Sequence, residues 1–259
     1  MRFASVVIAL CVLSAAGPAS ASAQDNYEIQ VYGSETVPDG MTMIELHSNF
    51  TANGSTIPAD GMLPSNHALH ETLEITHGFS PWFEVGAYLF TDLPATSPYQ
   101  WVGSHIRPRL RVPDEWDWPI GISLSAEMGY QRREFSEDTW SVELRPILDR
   151  QFGRWYVSFN PTLDKALDRG GPSGSVGFSP NLKVSFDVTP FITAGVEYYG
   201  TLGSVTGFSP VSEQEHQIFP AIDLNFSPEW EFNFGVGFGL TPATDHTIVK
   251  LILGRRIGG

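Results

Sequence analysis

Residues 218–240 read IFPAIDLNFSPEWEFNFGVGFGL, with apolar side chains at every second position on both sides of a Ser227-Pro228 turn. In the second arm, Glu231, Asn233 and three glycines separate the apolar residues, so one face is aromatic and aliphatic and the other is small or polar. A period of two residues predicts β-strands, and the turn between them predicts a hairpin. Each arm has about ten residues, the length that a tilted strand needs to cross the hydrocarbon layer of a membrane.

The hairpin alone is compatible with two architectures. In a soluble sandwich its apolar face would be buried in the core. In an outer-membrane barrel that face would contact lipid, and the small and polar face would line the lumen. The remaining chain decides between them.

The N-terminus has the features of a secretory signal. Residues 1–23 contain one basic residue, an apolar run from Val6 to Leu13 and the small-residue motif Ala21-Ser22-Ala23. We therefore expect cleavage after Ala23, with Gln24 as the first mature residue. The only cysteine, Cys11, lies in the segment that is removed, so the mature chain has neither a disulfide nor a cysteine-ligated metal.

The composition excludes several classes of protein. A formal net charge of −14 argues against nucleic acid as a partner. A mean hydropathy of −0.08 excludes a bundle of membrane-spanning helices, whereas a barrel needs apolar residues only at alternate positions.

Alternating segments continue through the chain and predict about twelve strands between Thr42 and Arg256. Short turns recur at 78–81, 151–153, 187–190 and 225–228, and longer polar loops, such as 52–66 and 200–214, lie between the hairpins. This pattern predicts an all-β fold: an antiparallel transmembrane β-barrel over residues 40–259, with short periplasmic turns and longer extracellular loops. We expect residues 24–39 to form an N-terminal periplasmic segment or a short extra strand.

Two further features concern the strand ends and the strand interiors. Aromatic residues near the predicted turns and loops are typical of interfacial girdles; they are Trp82, Trp116, Trp118, Trp155 and Trp230 at the turns, and Tyr99, Trp101, Tyr130, Phe135, Trp140, Tyr198 and Tyr199 at the loops. Prolines also fall inside strands, where they remove a hydrogen-bond donor; they are Pro108, Pro146, Pro161, Pro180 and Pro220. Their recurrence on the apolar face predicts tolerated β-bulges.

The hairpins GFSPWFEVGAYLF at 78–90 and NFSPEWEFNFGVGFGL at 225–240 resemble those of bacterial outer-membrane β-barrels. The chain is most similar to transporter barrels assigned to phenol-degradation operons, over most of residues 40–257. The resemblance implies a porin-like transporter in the outer membrane of a Gram-negative bacterium. Its expected partners are outer-membrane lipid, the barrel-assembly machinery and small solutes.

The polar face of the predicted barrel supplies the candidate site. The expected lumen and selectivity residues are Glu45, Glu74, Glu84, His105, Arg107, Arg109, Arg111, Glu127, Glu143, Arg145, Asp149, Lys183 and Asp187, with Asn160, Asp223 and Lys250 on the same face. A basic stripe facing carboxylates would orient and select small polar or charged solutes. The alternative is a set of interior ion pairs that fill and stiffen a narrow barrel.

The predicted function is a passive or weakly selective channel for small solutes. One alternative is a sealed structural or surface-interaction barrel whose long loops contact something outside the cell. A lipid-modifying enzyme on the barrel wall is less favoured, because it needs Ser and His two residues apart on one strand face, whereas His47-Ser48 and Ser104-His105 are adjacent. The sequence predicts no catalytic residue, no cofactor and no metal site.

Overall fold

The computed structural model of the chain describes residues 26–59, 61–168 and 175–258. The expected signal peptide and its cleavage residues, Ala21, Ala23 and Gln24, lie outside these ranges. Twelve long strands and two short ones follow one another: β1 Thr42–Asn53, β2 Leu69–Ser80, β3 Phe83–Leu93, β4 Gln100–Arg111, β5 Gly121–Gln131, β6 Trp140–Phe152, β7 Trp155–Ala166, β8 Gly177–Thr189, β9 Ile192–Thr201, β10 Gly203–Ser204, β11 Gly207–Phe208, β12 Glu215–Leu224, β13 Trp230–Gly239 and β14 Thr247–Ile257.

The twelve long strands form one closed antiparallel barrel, as predicted. Each pairs with its neighbours in the sequence, apart from β10 and β11, which form a small hairpin beside β8; β1 closes the barrel against β14, with Thr42 opposite Ile257. Short connections lie at one end, which we call the short-turn end, and longer ones at the other, the long-loop end. Among the described residues, no helix is long and apolar enough to cross a membrane.

Side chains alternate between the inside and the outside of the barrel. On β1, for example, Glu45, His47 and Asn49 are buried inside, whereas Leu46 and Phe50 are exposed outside. The hydrophobic face predicted from the sequence is therefore the outer face. The lumen is filled mainly by polar and charged side chains.

Three residues depart from the faces that the sequence predicts. The alternation of residues 100–112 predicts Val102 on the same outer face as Ile106 and Leu110. Val102 is instead fully buried inside, because the β3–β4 ladder shifts register between Phe90 and Thr91, which reverses the faces at the start of β4. Tyr199, assigned to a girdle, is 1% exposed and lies in the lumen. Phe135, assigned to the same girdle, packs against the inner cluster that contains Val102.

The prediction of bulges at the prolines is wrong. The β4–β5 ladder passes from the pair Ile106–Met128 to the pair Arg109–Ser125 without a change of register, and the pairs between them, around Pro108, are missing. The β6–β7 and β12–β13 ladders are interrupted in the same way, beside Pro146 and Pro220. Because proline has no backbone N–H, one hydrogen bond of the ladder is lost at each of these positions. The strand continues without an inserted residue.

The N-terminal segment, residues 26–39, forms no strand and runs through the inside of the barrel. Asn26 hydrogen-bonds to Asp245 at the long-loop end, and Asp39 forms a bridge with Gly78 at the short-turn end. Tyr27, Ile29 and Tyr32 are buried between these points. The expected periplasmic segment or extra strand is therefore not found, because the length and polarity of this stretch do not reveal that it passes through a lumen.

Candidate functional site in the barrel lumen

The ring of Tyr32 is the central contact between the N-terminal segment and the barrel wall. The guanidinium carbons of Arg107, Arg109 and Arg145 lie 4.8, 4.7 and 4.9 Å from its centroid. Guanidinium groups over an aromatic face are attracted to its π electrons, most strongly where water is excluded. The Tyr32 hydroxyl donates to Glu28, which also accepts from Arg145 Nη1 at 3.1 Å.

The wall also hydrogen-bonds the backbone of the segment. The Tyr32 amide donates to Asn160 Oδ1 at 2.8 Å, and the Tyr32 carbonyl accepts from Ser158 Oγ at 2.6 Å. Asp149 accepts from the backbone amide of Ser34 at 2.8 Å, and Glu84 from that of Val37 at 2.6 Å. These bonds replace the strand partners that an extended segment inside a barrel lacks.

The structure brings most of the predicted lumen charges together as ion pairs. Arg107 Nη2 lies 2.7 Å from Glu74 Oε1, and Arg109 Nε lies 3.3 Å from Glu84 Oε1. Arg145 Nε lies 2.7 Å from Glu143 Oε1. Buried charges are tolerated when they are paired in this way.

Other predicted lumen residues lie towards the ends of the barrel. Arg111 pairs with the exposed Asp114 beyond the end of β4, and Asp187 accepts from Thr193 Oγ1 at 2.8 Å near the short turns. His105 Nδ1 and Glu127 Oε1 are 2.5 Å apart in the half nearer the long loops.

A second buried cluster lies across the lumen. Lys250, fully buried, donates to Glu197 and to the carbonyl of Ile29, the latter at 3.2 Å. Lys183 Nζ lies 3.4 Å from Glu197 and 2.9 Å from Asp223. Glu197 is absent from the predicted set of lumen residues, although its position on the polar face of β9 was a usable signal.

The long-loop end holds a third polar group that the sequence analysis missed. His70 Nδ1 lies 2.5 Å from Asp92 Oδ2, which accepts from the Tyr27 hydroxyl at 2.8 Å. Tyr27 and Tyr32 lie outside the strands, and the short alternation of residues 27–32 indicated an extra strand, not contacts with the inner wall.

Three cavities flank the N-terminal segment. One of about 410 Å³, lined by Glu45, Glu74, Arg109 and Lys183 among others, lies towards the short turns. One of about 300 Å³ lies beneath the long loops, and one of about 110 Å³ lies beside His105 and Glu143. The segment thus contributes to the walls of all three cavities, and the two larger ones have the volume of small-molecule sites.

Solved structures with a similar fold are outer-membrane barrels. The chain is similar to the COG4313 outer membrane channel from Pseudomonas putida F1, with a TM-score of 0.61 and 13% identity over 89% of this chain and 100% of that one. The fold is that of an outer-membrane β-barrel.

Two porins have the same fold. The KdgM porin in complex with disordered oligogalacturonate matches with a TM-score of 0.51 and 11% identity, over 82% of this chain and 98% of that one. The NanC porin matches with a TM-score of 0.53 and 8% identity, over 83% and 99%. No protein-family model matches the sequence, and no curated protein matches it. The resemblance to barrels of phenol-degradation operons stays a prediction.

Proposed function

We propose that this protein is an outer-membrane channel for small solutes whose lumen is narrowed by its own N-terminal segment. The observation that carries the proposal is the division of the closed wall into an apolar outside and a charged inside. A continuous apolar outer surface is unfavourable in water. In a bilayer the same surface contacts lipid tails, and this cost does not arise. A charged interior, by contrast, needs either water or paired charges.

The apolar band supports a position in the membrane. Leu73, Leu46 and Leu253 stand side by side on three neighbouring strands, and their exposed fractions are 37, 41 and 43%. Tryptophans lie outside at both ends of the wall, for example Trp155 near the short turns and Trp101 near the long loops. Export through a cleaved signal peptide and insertion by the barrel-assembly machinery are part of the proposal.

The lumen charges favour small polar or charged solutes. Arg107, Arg109 and Arg145 surround Tyr32, with Glu74, Glu84 and Glu143 as their partners. A solute passing Tyr32 would have to exchange contacts with these groups, which gives the wall a basis for selectivity. We propose no catalytic residue and no cofactor.

A sealed structural barrel is the second candidate. The number of hydrogen bonds between residues 26–37 and the wall favours it, because each would have to break or shift before a wide pore could open. The wall enzyme has no comparable support, since Ser104 points outward and is exposed whereas His105 lies on the lumen side.

The test is single-channel conductance of the refolded mature chain, residues 24–259, in a planar bilayer. The comparison variants lack residues 26–38, or carry Ala at Arg107, Arg109 and Arg145. Discrete conductance steps that grow in the deletion variant and change ion selectivity in the arginine variant would support the channel. Folded, heat-modifiable protein without conductance in all forms would favour the sealed barrel. Membrane fractionation of the expressed full chain tests the location.

A further inference from the structure

Three buried side chains on two neighbouring strands converge on one point of the lumen. Glu45 and His47 are two residues apart on β1 and therefore point to the same side, and Glu74 on β2 stands directly opposite Glu45. One oxygen or nitrogen atom from each of the three lies within 4.8 Å of the other two. Their exposed fractions are 6, 0 and 1%.

Four buried polar atoms of these three side chains have no hydrogen-bond partner among the described residues. They are Glu45 Oε1, both ring nitrogens of His47 and Glu74 Oε2. His47 Nε2 and Glu74 Oε2 are 3.6 Å apart, which is too far for a hydrogen bond. The other oxygen of Glu74 is occupied, because Oε1 accepts from Arg107 Nη2 and from Thr76 Oγ1, both at 2.7 Å. Glu74 is thus held from behind with its free oxygen directed at His47.

The charges at this point do not balance. Arg107 and Arg109 contact Glu74 and Glu84. In the part of the chain that the structure describes, Glu45 has no cation within ion-pair distance, and it stands opposite a second carboxylate. Two carboxylates directly opposite one another on neighbouring strands destabilise the sheet, and an unpaired buried charge costs several kcal/mol.

A glycine leaves room beside this cluster. Gly254 on β14 lies between Glu45 on β1 and Glu231 on β13 in one row across the wall. A Cβ atom at Gly254 would lie 2.8 Å from Glu45 Cγ and 3.2 Å from Glu231 Cβ, so a larger residue would crowd both carboxylates. Glu45 and Glu74 also line the cavity of about 410 Å³, which offers a path for an ion and space for a bound water.

We propose that Glu45, His47 and Glu74 bind a divalent transition-metal ion, with Zn²⁺ as the representative ion. One imidazole and two carboxylates, with a water from the cavity as fourth ligand, form a set that Zn²⁺ accepts. Tetrahedral Zn²⁺ with ligands at about 2.0–2.1 Å would bring the three atoms to about 3.3 Å from one another. They now lie within 4.8 Å of one another, and His47 Nε2 and Glu74 Oε2 are 3.6 Å apart. Arg107 and Thr76 act as the outer partners that orient Glu74.

The sequence predicts no metal site, because the pattern does not reveal the register that places Glu74 opposite Glu45. The metal site goes beyond the proposed channel function and does not depend on it. The bound ion would neutralise the facing carboxylates and join β1 to β2 inside the barrel.

The test uses the full mature chain, refolded without a histidine tag and stripped with a chelator. Zn²⁺ is added, and the bound metal is measured by equilibrium dialysis with elemental analysis. We expect about one Zn²⁺ per chain, and an affinity reduced about tenfold or more in His47→Gln and in Glu45→Gln. The matched control is His70→Gln, which removes another buried lumen histidine beside a carboxylate and should leave Zn²⁺ binding unchanged.

Without metal, Glu45→Gln should also raise the unfolding temperature, because it removes one of two facing carboxylates. The site is overturned if the folded wild-type chain binds no stoichiometric Zn²⁺, or if His47→Gln and His70→Gln bind it equally well. Should His47→Gln fail to fold, zinc X-ray absorption of the wild-type protein decides the matter. One imidazole with oxygen ligands supports the site, and any other number of imidazoles overturns it.

Discussion

The guanidinium carbon of Arg109, on β4, lies 4.7 Å from the centroid of the Tyr32 ring in the N-terminal segment. Arg109 Nη1 also lies 3.4 Å from the Gly33 carbonyl and 3.3 Å from the Glu35 carbonyl. One wall side chain therefore contacts both a ring and the backbone of the segment, and the two parts of the chain stabilise one another. Replacement of Tyr32 tests this mutual dependence.

Replacing Tyr32 by Ala should loosen the N-terminal segment without unfolding the barrel. The ring contacts three arginines, and such contacts contribute from about 0.5 kcal/mol at exposed sites to about 2 kcal/mol where water is excluded. We expect larger and noisier conductance, together with faster proteolysis within residues 26–38. Tyr32→Phe keeps the ring and loses only the hydroxyl contacts with Glu28 and Tyr88, so it should resemble the wild type. Equal behaviour of the Ala and wild-type chains would contradict a role for Tyr32 as an anchor.

Replacing Lys250 by Ala should destabilise the protein strongly. Lys250 is fully buried, and its loss would leave Glu197 with only part of its positive environment. Removing one partner of a buried ion pair costs about 3–5 kcal/mol, because the other charge stays buried. Urea titration of folding in lipid vesicles measures the change in the free energy of unfolding.

The control for that experiment is the double variant Lys250→Met with Glu197→Gln, which removes both charges. It should recover most of the lost stability, since two neutral side chains of similar size leave no unpaired charge. A double variant as unstable as Lys250→Ala would show that packing around Lys250, not its charge, provides the stability.

An arginine on the outer wall should cost more in the middle of the wall than at its edge. Leu46 lies near the middle of β1 and is 41% exposed, and Leu240 follows β13 at the long-loop end and is 57% exposed. In a bilayer, Leu46→Arg should destabilise the folded barrel by about 2–4 kcal/mol, and Leu240→Arg by about 0–1 kcal/mol. Folding into vesicles, followed by tryptophan fluorescence, gives both values. An equal cost at both positions would argue against a bilayer around this surface.

Asp245 should control the order of the long-loop end. Its Oδ1 accepts from Ser65 Oγ at 2.7 Å, and its Oδ2 accepts from Asn26 Nδ2 at 2.9 Å. Asp245→Ala leaves these donors without a charged acceptor. The stability lost is about 1–3 kcal/mol and is confined to the long-loop end of the barrel. We expect faster proteolysis in residues 54–66 with little change in global unfolding. Glu115→Ala, an exposed change at the opposite end, serves as the control and should leave the cleavage rate unchanged.

Strand positions and faces were predictable because they depend on local geometry. Successive side chains on a strand point to opposite sides, so the alternation of Leu46 and His47 already separated outside from inside. The misplacement of Val102 has a similarly local cause, since a single shift in the ladder beside Phe90 inverts the faces that follow or precede it. Strand pairs also followed from order, because neighbours in an up-and-down barrel are neighbours in the sequence.

The sequence by itself determined that the chain forms alternating strands joined by short turns and long loops, since a period of two residues is a property of each strand alone. Only the tertiary structure decided which charges meet across the lumen and where residues 26–39 lie. The contact of Lys250 with the Ile29 carbonyl and that of Arg107 with Tyr32 join parts of the chain that are far apart in sequence. Such contacts depend on closure of the barrel, because closure sets the distances between opposite walls and excludes the water that would otherwise solvate these groups.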